Sequence, residues 1–200
     1  MVRWKKIAAG AIGAVGIAAI GAAWLYRREK TAVSPGYAVE KGEGGFELRR
    51  YPALLLAETV QAGPRERATT NGFGLLADYI FAESREGPAI ALAMPLLVAD
   101  AGEEAWRIRL PMPRGSTKAG LPDPGEGVAI VALPERRIAV TRFAGRADDA
   151  LLAEKIAALG LWMREQGLEG ASEPEFAFYS APPVPGPLRH NEVMIAVGDV

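Results

Sequence analysis

The second half of this 200-residue chain echoes its first at a spacing of 82 positions. Phe46-Glu47-Leu48-Arg49-Arg50-Tyr51-Pro52, with Leu56, Ala57 and Gly63, maps onto Val128-Ala129-Ile130-Val131-Ala132-Leu133-Pro134, with Ile138, Ala139 and Gly145. Proline falls on proline and glycine on glycine. Each echoed segment leads into a helix-patterned stretch and then two strand-like runs, which predicts a β-α-β-β unit present twice, over about 37–112 and 128–198. A unit of this size cannot bury its own apolar face. The two copies are expected to pack together and leave a cleft along their pseudo-twofold axis.

Residues 1–30 follow different physics. Arg3, Lys5 and Lys6 precede an uncharged run from Ile7 to Tyr26, and Arg27, Arg28 and Lys30 close it. Twenty residues at about 1.5 Å per residue match the roughly 30 Å of a bilayer core. The expectation is an N-terminal membrane helix, single-pass, with the globular part on the extracytoplasmic side. A cleaved signal peptide is the rival reading. Residues 31–36 form a tether, and 37–200 form one ligand-binding domain.

Chain totals of 23 basic and 24 acidic residues lose six and one with residues 1–30, which leaves 17 against 23. A net charge of −6 argues against nucleic acid as a partner, because phosphate binding needs a basic footprint. The absence of cysteine removes disulfides, thiolate metal sites and thiol nucleophiles.

Alternation around Gly42, Gly44 and Gly45 predicts a hairpin over 37–40 and 46–50, followed by a strand over 54–60. A first helix is expected to start near Asn71 as its N-cap, with Phe73, Leu76, Ala77 and Ile80 on one buried face. Strands are expected over 89–99 and 106–112. The loop from Pro111 to Gly127, rich in proline and glycine, is long enough to rim a cleft. In the second copy, strands are expected over 128–133, 137–143, 175–179 and 193–197. The helix between them should be opened by Asp148 and Asp149 and closed at Gly167.

Four segments in order, Phe46 to Pro52, Gly72-Phe73 with Tyr79-Ile80-Phe81, Ile90 to Leu96 and Leu188 to Val193, resemble the SOUL heme-binding protein family over about residues 37–197. The resemblance implies an α+β fold, a distorted eight-stranded antiparallel barrel with two helices. It also implies a hydrophobic groove for heme or a related tetrapyrrole, lined by the first helix and neighbouring strands. Leu92, Ala93 and His190 depart from the family's common pattern.

Heme can be held by an axial ligand, or by apolar contact with its propionates paired to cations. His190 is the only imidazole. Met94, Met112, Met163 and Met194 offer thioethers, and Tyr51, Tyr79 and Tyr179 offer phenols. Apolar binding without strong axial ligation is the favoured reading. Phe73, Leu76, Ala77, Ile80 and Met94 would form the groove, with Arg49, Arg189 and His190 as its polar contacts. A carrier for heme at the membrane is thus expected rather than an enzyme. Two readings compete with it: a hydrolase of a small hydrophobic molecule using Glu175 and Tyr179, which share a strand face, and a protein-interaction module. No HExxH, P-loop or dinucleotide fingerprint is present.

Overall fold

Period-two alternation sends Leu48 to one side of its strand and Arg49 and Tyr51 to the other, and the whole sheet follows from such segments. A computed structural model of the protein describes residues 36–180 and 184–198. Nine strands, β1 (Ala38–Glu43), β2 (Phe46–Tyr51), β3 (Leu54–Ala62), β4 (Leu96–Gly102), β5 (Ala105–Pro111), β6 (Ala129–Leu133), β7 (Arg136–Phe143), β8 (Glu175–Phe178) and β9 (Asn191–Val197), form one sheet with helices α1 (Arg65–Phe81) and α2 (Asp149–Glu165). The strand order is β1-β2-β7-β9-β8-β4-β5-β3-β6, and every pairing is antiparallel.

The element order follows the 82-residue echo, with one strand more per echoed unit than expected. Each echoed segment contains two strands, so the unit is β-β-α-β-β: β2 to β5 with α1, then β6 to β9 with α2. Outward from the central β8·β4 pair, the order reads β9, β7, β2 on one side and β5, β3, β6 on the other. Each repeat therefore lends its first strand to the other half. Glu47 pairs with Val140 across β2·β7, and their counterparts 82 positions away, Ala129 and Glu58, pair across β3·β6. Gly63 and Gly145, with φ of +99° and +110°, make the same turn ahead of the two helices, which is why glycine recurs there.

The expected eight-stranded barrel is an open nine-stranded sheet. Closure would need β2 to pair with β6, but β1 already occupies the free edge of β2. The fold is α+β as expected.

One face of the sheet carries both helices over a core that includes Leu76, Ile80, Ile108, Leu110, Leu159, Trp162 and Val193. Gly72 lets α1 approach β5 closely, since a Cβ there would lie 2.9 Å from Ile108 Cγ1. Trp162 of α2 stacks on Phe46 of β2 with ring centroids 5.6 Å apart. The opposite face carries a smaller apolar cluster around Tyr51, Leu56, Leu97, Ile138, Val140, Ala177 and Met194.

Helix α2 starts and stops as expected. Asp148 accepts from the Leu151 amide at 2.9 Å, and Gly167, at φ +67°, lets Leu168 N–H reach Met163 O at 2.9 Å. Helix α1 begins six residues before Asn71, which is an exposed position inside it. The start is set by Gly63-Pro64, where proline fixes φ and its carbonyl accepts from Ala68 N at 2.9 Å. The strand expected over 89–99 forms only from Leu96, because Pro88 and Pro95 lack the amide a ladder needs.

The membrane location is corrected. The run Ile7 to Tyr26 lies outside the described residues, and among those no helix is long and apolar enough to cross a membrane. Helices α1 and α2 have 17 residues each, about 25 Å of rise against roughly 30 Å of hydrocarbon, and both carry charges.

Candidate functional site

The sheet face away from the helices is where charge concentrates. Arg49, on β2, is fully buried, and its Nη1 and Nη2 donate to Glu192 Oε2 and Oε1 of β9 at 2.9 Å each. The same guanidinium donates to Glu47 Oε2 at 2.6 Å and Tyr51 OH at 3.0 Å, and lies 4.1 Å from the Tyr37 ring centroid. Glu192 also accepts from Tyr179 OH at 2.9 Å and Arg142 Nε at 3.2 Å. His190 Nε2 lies 3.2 Å from Glu192 Oε1, and its ring stacks on Tyr179 at 4.3 Å and 7°. On the same face, Glu175 accepts from Arg109 Nη1 at 3.3 Å and Arg136 Nη2 at 3.0 Å, while Arg109 Nε donates to Glu58 at 2.6 Å.

Burial alone would raise the Glu192 carboxyl, but its bonds to His190 and Arg49 and the Arg49 charge outweigh it and hold the group at about 2. Burial likewise opposes the Arg49 charge, and Glu192 again prevails, so the guanidinium keeps its proton more firmly than in water. Burial pushes the Tyr51 phenol up to about 12 against the pull of Arg49. Tyr179 is raised by burial and by the Glu192 charge, so it remains a hydrogen-bond donor. This cluster is an ionic network that ties the two repeats together, with Arg136 Nε its one buried donor lacking a partner among the described residues.

Among the described residues, side chains rather than the expected cleft occupy the centre of the pseudo-twofold arrangement. At the β8·β4 centre, Leu97, Ala177, Glu175 and Met194 are buried against one another, and the ion pairs fill the space beside them. A groove of about 460 Å³, open to solvent on one side, lies instead where β3 begins and β6 ends. Its walls are Pro52, Leu54, Leu55, Met112, Pro113 and Leu133, and Arg114 stands exposed on the rim, lying over Gly36 with no carboxylate partner among the described residues. Its volume falls within the roughly 300–1,000 Å³ of small-molecule sites. The opening residues of the loop expected to rim a cleft do line it. Farther along that loop, Tyr79 OH of α1 donates to Pro122 O at 2.9 Å.

The sheet divides the eight residues expected to bind ligand. Leu76 and Ile80 are fully buried between α1 and the sheet, Met94 is buried with them, and Phe73 packs at the border of that core. Ala77 is half-buried on the same helix. Arg49 and His190 lie on the opposite face, joined through Glu192. Arg189 is half-buried and donates to Val184 O at 2.8 Å. Glu175 and Tyr179 share a face as expected but take separate partners, and both Glu175 oxygens are occupied.

Sequence reasoning passed over Glu192, Glu58 and Arg114. Glu192 had a signal: a lone acid opening the apolar run Val193 to Val197, two positions after His190 and in register with the inward positions of β9. The groove has no local signal, since three distant segments build it.

The residues present fit an apolar ligand with an acidic edge, and Met112 places a thioether among the walls. The groove offers apolar walls and a guanidinium with no carboxylate partner among the described residues, whereas the Nε2 of the one imidazole faces a buried carboxylate. Among the described residues no group of three or more His, Cys, Asp or Glu side chains could hold a metal ion.

Among curated proteins no match is found. The fold is similar to that of a hydrolase from Listeria innocua (TM-score 0.58, 13% identity, 80% of this chain and 94% of that one). It is also similar to the EcmrR C-terminal domain (TM-score 0.60, 11% identity, 82% and 99%). A third likeness is to EcmrR in its complex with DNA (TM-score 0.59, 10% identity, 98% and 69%). At such identities these show a shared fold only. Residues 32–196, most of the chain, match the SOUL heme-binding protein family, so this chain belongs to that family and heme is the ligand class its membership indicates.

Proposed function

We propose that this protein binds heme or a related tetrapyrrole in the groove between the start of β3 and the end of β6, by apolar contact and without axial ligation. The observation that carries this reading is a half-open hollow of about 460 Å³ with apolar walls and, at its rim, the Arg114 guanidinium, which has no carboxylate partner among the described residues. The walls exclude water from the macrocycle faces, and the guanidinium pairs with a propionate in a two-point contact. On the charged face the two carboxylates that the competing hydrolase reading would draw on are engaged, Glu175 by two arginines and Glu192 by Arg49, Arg142 and Tyr179.

Heme titration of the full chain should give a Soret shift that saturates at one equivalent. Leu133→Asp should abolish saturation while the circular dichroism of the protein is kept. Arg114→Ala should weaken heme by about two- to fivefold, the size of one exposed ion pair, and leave porphyrin dimethyl ester unaffected. A saturable shift that survives Leu133→Asp would overturn the placement, and the absence of any saturable shift would overturn the function.

A further inference from the structure

We infer that the outer edge of β6 is an interface between two copies of this chain. The internal symmetry exposes it: β2 and β6 are equivalent strands, and the free side of β2 is covered by β1. The counterpart of β1, 82 positions on, is the stretch from Gly120 to Gly125. Pro122 and Pro124 lie in that stretch, and proline cannot donate to a ladder. The Tyr79 bond to Pro122 O holds the loop on α1, so among the described residues nothing pairs with the second side of β6.

The two sheet edges differ in chemistry. Strand β1 carries Glu40, Lys41 and Glu43, the charges by which native edges resist pairing. Strand β6, Ala-Ile-Val-Ala-Leu, carries none, although Ala129 and Ala132 are exposed. An uncharged strand is complementary to itself in an antiparallel twofold pairing, because no charge meets its like across the ladder. That selects a second copy as the occupant. Ala132 and Leu133 also line the groove, so a partner seated on β6 would adjoin it.

Sedimentation of the full chain without heme tests this, independently of the ligand reading. The expected result is a concentration-dependent species at twice the 21.2 kDa chain mass. Ala132→Lys and, separately, Ala129→Lys should each weaken the dimer by about tenfold or more, since like charges would then flank the new ladder. Leu161→Lys, on the exposed side of α2, should leave it unchanged. Unaltered circular dichroism and melting temperature guard against misfolding. A monomer at every soluble concentration would overturn the inference. So would a dimer that both β6 lysines leave intact, because association would then lie elsewhere, residues 1–35 included.

Discussion

Arg49 and Glu192 meet through two parallel 2.9 Å hydrogen bonds although 143 positions separate them, and their side chains are 0% and 1% exposed. Arg49 belongs to the first repeat and Glu192 to the second, so the pair fastens the strand that one repeat lends to the other. Tyr51, Tyr179, Glu47 and Arg142 supply the remaining partners that a buried ion pair requires.

Removing Arg49 takes the two-point partner from the buried Glu192, which keeps Arg142, Tyr179 and His190. Arg49→Met should therefore destabilise the fold by about 1–3 kcal/mol, the usual cost of leaving buried polar atoms short of a hydrogen-bond partner. The double variant Arg49→Met/Glu192→Leu should recover most of that loss, because two apolar groups of similar size need no partners. Urea denaturation of the three proteins measures this. Equal losses in the single and double variants would mean that packing, not charge pairing, matters at this site.

The same pair makes stability pH-dependent. Glu192 is held at about 2 against an ordinary value of 4.5, so the folded state binds its proton less readily than the unfolded chain. For a depressed carboxyl, the stabilisation is fully present above the unfolded value and is lost as pH falls through the folded one. The urea midpoint should accordingly decline between pH 4.5 and about 2, and Glu192→Gln should flatten that decline. An unchanged slope in the variant would assign the acid lability to other carboxylates.

Much of this architecture was legible in the chain because symmetry writes itself twice. Gly63 and Gly145 recur because both helices follow a left-handed turn, and the 82-residue echo survives because the β2·β7 and β3·β6 ladders share one register. Asp148 and Gly167 are readable for a different reason, since capping is decided within a few residues. The inner-face charges were not readable in the same way. Arg49 looked like a cation waiting for a ligand, and only strand order places Glu192 beside it. Helix α1 misled in the opposite sense: the apolar stripe of Phe73, Leu76, Ala77 and Ile80 reads the same whether it faces a ligand or a sheet, and the structure puts Leu76 and Ile80 against the sheet.

His190 follows from that network. Its Nε2 faces Glu192, and its ring is stacked on Tyr179. An imidazole so engaged is not available to iron through that nitrogen. His190→Ala should leave the Soret maximum and the saturation point of the heme complex unchanged. A change of the Soret maximum on substitution would identify His190 as an axial ligand and remove the non-axial reading.

The packing of α1 supplies a last test, one that separates core from site. An alanine Cβ at Gly72 would sit 2.9–3.0 Å from three Ile108 side-chain atoms, and Ile108 is itself fully buried under the helix. Neither partner can yield without moving α1 or β5, so Gly72→Ala should cost about 1–3 kcal/mol, as overpacking does. Ile108→Val, which removes one methyl from the other side of the contact, should restore part of the loss when combined with it. The groove lies at the far ends of β3 and β6, and Gly72 is absent from its lining. Heme affinity measured well below the melting temperature should therefore be the same in wild type and Gly72→Ala. If affinity fell together with stability, ligand would be contacting α1, and the groove at Arg114 would not be its seat.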